Sequence, residues 1–183
     1  MNSLSQQLVV LALVGVTSVA GWTSSPTGHA QESVLEDFVG TYRFSGGRRE
    51  RQALANEIDR VADQLGFLIR GIARGQMHDR IRPHEEVRFD TTEDNTVRVF
   101  LGDRPALPCD GSPHAVRSDR DDPGTSVCSY ANGRVTVRSA YDGTTNVMRF
   151  WRGGEGRLLR MSVTLRSEQL PDVIRYRLTY RIR

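Results

Sequence analysis

Hydrophobic positions along this chain follow two different periods, and the change of period marks out its elements. Leu54, Ile58, Val61, Leu65, Leu68 and Ile72 are spaced by four, three, four, three and four residues. That repeat puts six aliphatic side chains on one stripe and predicts a single long amphipathic helix from about Arg49 to Ala73. Arg51, Glu57, Arg60, Asp63 and Gln64 fall largely off the stripe, so the opposite face is wet. Gly66 and Gly71 lie inside the predicted helix, where each costs about 1 kcal/mol, so a kink or a close backbone approach is expected near them. Gly75 is a reasonable stop.

Before the helix, Phe38 to Phe44 alternates and reads as a first strand, broken by Ser45-Gly46-Gly47. After Pro83 the period is two throughout. Val87 and Phe89, then Val97 and Val99, mark two short strands around the polar Thr91 to Asn95 turn. Gly102 to Gly124 is turn-rich, with Pro105, Pro108, Pro113 and Pro123, and reads as the least ordered stretch of the domain. Asn132-Gly133 and Asp142-Gly143 are hairpin signals, because such pairs supply the positive φ angles of two-residue turns; Gly153-Gly154 opens a third turn.

Near the end, Leu159, Met161, Val163 and Leu165 alternate with Arg160, Ser162, Thr164 and Arg166. Ile174, Tyr176, Leu178, Tyr180 and Ile182 alternate with Arg175, Arg177, Thr179, Arg181 and Arg183. One apolar face and one arginine face are what antiparallel strands with a core side and a water side require. The expected fold is mainly β, an antiparallel meander of eight or nine strands with one long amphipathic helix between strands 1 and 2. A sheet that large leaves exposed edges if flat, so closure into a barrel or strong curvature is favoured.

The first 30 residues change the picture of where the domain works. Leu8 to Val16 is an unbroken apolar run, too short to span a bilayer, and small-residue cleavage sites follow at Ala20 and Ala30. Residues 1–30 therefore read as a signal peptide and short linker, with an uncleaved anchor as the alternative, and 31–183 as a single domain, periplasmic or secreted. Cys109 and Cys128 are the only cysteines, and in an oxidising compartment such a pair most simply forms one disulfide. The 25 cations are all arginine, against 22 acids, for a net charge of +3. With no lysine, Schiff-base, pyridoxal-phosphate and phosphate-loop lysine chemistry is excluded.

Asp37-Phe38-Val39-Gly40-Thr41-Tyr42-Arg43-Phe44 resembles the opening strand of the calycins, the superfamily of lipocalins and fatty-acid-binding proteins. Helical insertion after that strand, followed by a meander, resembles the fatty-acid-binding branch, whose helices serve as a lid. The resemblance implies a barrel that takes a hydrophobic ligand. It also implies a basic residue on the last strand packed across the first-strand aromatic, a place that Arg175 and Arg177 both suit. Two departures stand out. That branch has two short helices where the stripe here reads as one, and its carboxylate-gripping Arg-x-Tyr is replaced by Arg175-Tyr176-Arg177. The chain also resembles exported bacterial proteins of unassigned role.

Catalytic chemistry finds little support. There is no Gly-x-Ser-x-Gly elbow, and Asp110-Gly111-Ser112-Pro113-His114 is a five-residue turn that cannot align a triad. His84-Glu85-Glu86 lacks the second histidine of a zinc helix, and Asp119-Arg120-Asp121-Asp122-Pro123-Gly124 lacks the bidentate acid of a calcium loop, so no metal and no cofactor is expected. The arginines alternate along strands rather than clustering with aromatics, which argues against nucleic acid.

Arg70 and Arg74, one helical turn apart, either complement a helix C-terminus or grip an anionic group at the barrel mouth. Tyr42, Met148, Phe150, Met161, Tyr176 and Tyr180 either fill the core or line an apolar cavity. The function expected is that of an exported, non-catalytic binder of a small hydrophobic or amphipathic ligand, anionic ligands included. The alternatives are an envelope interaction domain with a solid core, touching anionic envelope components peripherally, and a helix-gripping lyase or isomerase.

Overall fold

The computed structural model describes residues 35–118, 121–153 and 156–183. The predicted signal peptide and linker lie outside the described residues, as do Asp119, Arg120 and Gly154. Strand β1 (Gly40–Phe44) leads into helices α1 (Gly47–Ala62) and α2 (Phe67–Arg80). Nine strands follow: β2 (Glu86–Thr91), β3 (Val97–Leu101), β4 (Leu107–Pro108), β5 (Pro113–Arg117), β6 (Pro123–Ala131), β7 (Arg134–Tyr141), β8 (Thr144–Gly153), β9 (Leu158–Ser167) and β10 (Ile174–Ile182). Among the described residues no helix is long and apolar enough to cross a membrane.

All ten strands form one antiparallel sheet in the order β4-β3-β2-β1-β10-β9-β8-β7-β6-β5. β1 sits between β2 and β10, with Tyr42 opposite both Val87 and Ile182. The two edges, β4 and β5, are consecutive in the chain. Cys109, just after β4, is disulfide-bonded to Cys128 on β6, and the Gly111 N–H donates to the Cys128 carbonyl at 2.9 Å. The sheet thus curls into a nearly closed barrel. The strand count exceeds the sequence expectation because the turn-rich Gly102 to Gly124 stretch itself holds β4 and β5. At the hairpin signals, Asn132 and Gly133 both take positive φ, 51° and 71°, whereas in Asp142-Gly143 the glycine alone does, at 59°.

Alternation on every long strand sends one face inward. Tyr42, Val87, Phe89, Val99, Val135, Phe150, Leu159, Met161, Leu178 and Tyr180 are buried in a single cluster. Phe89 anchors it, with ring centroids 5.6 Å from Phe150 and 5.7 Å from Phe38 in tilted and edge-on geometries.

The helical region corrects the single-helix expectation. α1 stops at Ala62, and Gly66 has ψ 146°, far from helical, so a second helix starts at Phe67. An unbroken helix over Arg49–Ala73 would run about 37 Å and overshoot the end of a small barrel. α1 lies across that end and packs Leu54, Ile58, Val61 and Ala62 against Ile174, Leu165, Leu170 and Tyr176. The second half of the stripe is not buried. Phe67, Leu68, Ile69 and Ile72 on α2 are 81%, 75%, 55% and 67% exposed, and Met77 is the one buried residue of α2.

Candidate binding site at the helical end of the barrel

Five of the aromatic and methionine residues singled out in the sequence meet inside the barrel. Tyr42, Met148, Phe150, Met161 and Tyr180 are all buried in the same cluster. The Tyr42 hydroxyl donates to the Phe38 carbonyl at 3.0 Å, and burial raises its pKa against the lowering effect of Arg152. Tyr180 is fully buried with a hydroxyl that has no hydrogen-bond partner, and desolvation drives its pKa far up. Tyr176 sits higher on β10, touching both the barrel cluster and the α1 cluster, and burial pushes its phenol up to about 12. These phenols stay neutral at any physiological pH, and the charge that acts on Tyr42 is that of Arg152, whose Nε is buried without a hydrogen-bond partner.

Sequence reasoning missed a polar row on the inner wall. Ser126 is opposite Ser139, Ser139 opposite Asn146, Asn146 opposite Leu165, and Leu165 opposite Ile174. The row therefore leads straight to the residues under α1. The two serine hydroxyls are buried and 2.6 Å apart. Asn146 Oδ1 is buried without a hydrogen-bond partner. A buried acceptor left unpaired costs roughly 1–3 kcal/mol, so the row is an unusual feature in an otherwise apolar wall.

Arg70 and Arg74 are not brought to the aromatic residues; they tie α2 to α1. The Arg70 guanidinium donates to the Leu65 carbonyl at 3.3 and 3.4 Å, satisfying a carbonyl in the turn after α1, and pairs with Asp63 at 3.9 Å. Arg74 pairs with Asp59 at 3.1 Å and also with Asp63. His78 Nε2 lies 3.1 Å from the same Asp59 oxygen. α2 is consequently turned inside out relative to an ordinary surface helix: its cations face α1 and its large aliphatics face water.

Within α1, the carboxylates continue what β1 begins. After Phe44 the chain leaves the sheet, and the upper edge of β10 loses its strand partner. Glu50 accepts from both the Thr179 N–H and the Thr179 hydroxyl at 2.7 Å, and Glu57 accepts from the Arg175 N–H at 3.0 Å. Glu57 is also forked to Arg60 at 2.7 and 2.9 Å, a hydrogen-bonded pair that lowers its pKa. Among the described residues there is no grouping of three or more His, Cys, Asp or Glu able to hold a metal ion.

No protein-family model matches the sequence, and no curated protein matches it. Solved structures do match. Lipid binding protein 8 of Caenorhabditis elegans overlaps 81% of this chain and 96% of its own, at 13% identity and a TM-score of 0.48. Fatty-acid-binding protein 1 of Echinococcus granulosus overlaps 80% and 98%, at 13% identity and 0.45. An abundant heat soluble (SAHS) protein of Ramazzottius varieornatus overlaps 80% and 96%, at 6% identity and 0.51. By strand order, helix placement and the last of these overlaps, the chain has the fold of a calycin-like barrel.

Proposed function

We propose that the protein is a non-catalytic binder of a small hydrophobic or amphipathic molecule, which it meets at the helical end of the barrel. The observation that carries this reading is the inverted face of α2: four large apolar side chains stand in water beside a barrel whose inner wall is apolar. Apolar surface of that kind is kept where it meets a partner. α2 is hinged at Gly66 and attached through one buried side chain and a set of half-exposed ion pairs, so displacing it costs little. Tyr42, Met148, Phe150, Met161, Tyr176 and Tyr180 are then the wall that an entering chain would meet, with two methionines able to repack around it. Arg70 and Arg74, freed from Asp59 and Asp63, would face its anionic end. An oxidising compartment, as export through residues 1–30 would provide, fits the disulfide.

A second reading rests on a separate observation. Tyr42, Phe150, Leu159 and Tyr180 have no accessible surface at all, so no water-sized space adjoins them. On that reading the barrel stays filled, and the face of α2 contacts a protein or an anionic envelope surface. One titration separates the two. A long-chain fatty acid added to the delipidated protein should bind saturably and shift the methyl signals of Met148 and Met161, and Leu68→Ser with Ile72→Ser should weaken it. Binding that leaves those methyls unmoved selects the second reading, and no binding sinks the first.

A further inference from the structure

Between α1 and the upper edge of β10 runs an open groove of about 510 Å³. Its helical wall includes Arg49, Glu50, Glu57 and Arg60, and its strand wall includes Arg175 and Arg177. The two acids are already committed: Glu50 to Thr179, and Glu57 to Arg60 and the Arg175 N–H. Arg60 is committed too, held by Glu57 and, at 2.7 Å, by Asp172. What is left over is positive. The guanidinium groups of Arg49, Arg175 and Arg177 make no hydrogen bond or ion pair with any described residue.

The backbone adds a donor of its own. The N–H groups of Arg175 and Thr179 both point away from β9 toward α1, as their bonds to Glu57 and Glu50 require. Alternation along an antiparallel strand puts the Arg177 N–H on that same edge, midway between the two carboxylates. A groove with three uncommitted guanidinium groups and an edge N–H is built for planar or tetrahedral oxyanions, which arginine forks bind bidentately.

We propose that this groove is a binding site for a phosphate-class oxyanion, held between Arg49 on α1 and Arg175 and Arg177 on β10. The site rests on a different set of charged residues from the apolar-ligand reading; of the aromatic residues named there, Tyr176 also lines the groove. Free inorganic phosphate and the phosphodiester headgroup of a lipid present the same chemistry.

The full chain, labelled with ¹⁵N, is titrated with inorganic phosphate and, in a second arm, with phosphatidylcholine vesicles with or without phosphatidylglycerol. The proposal expects a saturable shift of the Arg177 amide with phosphate, or binding to the anionic vesicles alone. The first outcome marks a free anion as the ligand and the second a headgroup. In either arm Arg175→Gln with Arg177→Gln should weaken binding by about tenfold or more, and Arg49→Gln should weaken it from the helical side. Arg138→Gln, an exposed arginine on β7, should change nothing. No response in either arm overturns the proposal. So does equal weakening by Arg138→Gln, which would mean that net charge alone attracts the anion.

Discussion

Helices α1 and α2 carry the two halves of one aliphatic stripe and end in opposite surroundings. On α1, Leu54, Ile58 and Val61 are buried against Ile174 and Leu165 while Glu50 and Glu57 hydrogen-bond the edge of β10. On α2, Leu68 and Ile72 continue the spacing into water, and the cations turn toward α1 instead. The difference is one of reach. α1 lies over the inner face of β10, whereas α2 begins beyond a break at Gly66 and rests mainly on α1. A repeat tells which residues share a face; what that face meets depends on where the sheet ends.

The largest effect that bears on this contrast comes from truncating equivalent residues. Ile58→Ala should cost about 2–5 kcal/mol in urea unfolding, whereas Ile72→Ala should change stability by no more than about 0.5 kcal/mol. Equal losses would mean that α2 buries its apolar face in solution and would end the comparison. Next is the covalent tie across the barrel gap. Cys109→Ser with Cys128→Ser opens a loop of sequence separation 19 and should cost about 3 kcal/mol, while hydrogen exchange keeps α1 better protected than α2.

A smaller change is expected from the polar tie. Asp59→Asn with Asp63→Asn removes the partners of Arg74, which are about half exposed, so the loss is limited to about 1 kcal/mol. It should speed amide exchange in α2 and leave α1 and the global midpoint nearly unchanged; a large drop in the midpoint would make α2 part of the folding core. The smallest effect is on pH dependence. Glu57 has its pKa lowered by Arg60 from an ordinary 4.5, so its contribution is present above that value and is lost as pH falls through the lower, folded value. Glu57→Gln should therefore flatten the acid limb of a melting-temperature profile, and an unchanged limb would remove Glu57 from the docking of α1.

Much of the fold was legible because strand alternation is local. The inward positions of β9 and β10, the two hairpin dipeptides and the cysteine pair could each be read from a few neighbouring residues. The break between the helices was half legible: Gly66 was visible, but its weight against an unbroken aliphatic repeat depends on the width of the barrel. The polar row Ser126, Ser139 and Asn146 was not legible, since three small polar residues on three strands line up only once their registers are known. The same holds for Glu50 and Glu57. Glu57 read as part of a wet helix face and Glu50 carried no reading, since their bonds to β10 arise from β1 leaving the sheet after Phe44, an event 134 residues away in the sequence from the strand it uncovers.

The position of β1 between β2 and β10 also bears on how the chain matures during translation. β2 to β4 and β5 to β9 form two separate runs of successive hairpins that pair as they emerge from the ribosome, but β1 must wait for β10, and the bond from the Ser45 hydroxyl to the Thr179 carbonyl spans those 134 residues. Loop closure over such a distance is slow, and the seam can form only after nearly the whole domain has left the exit tunnel. Until then the barrel is an open, unfinished sheet. Its half-made edges then stand open to pairing with other chains, and closing the seam between β1 and β10 removes them.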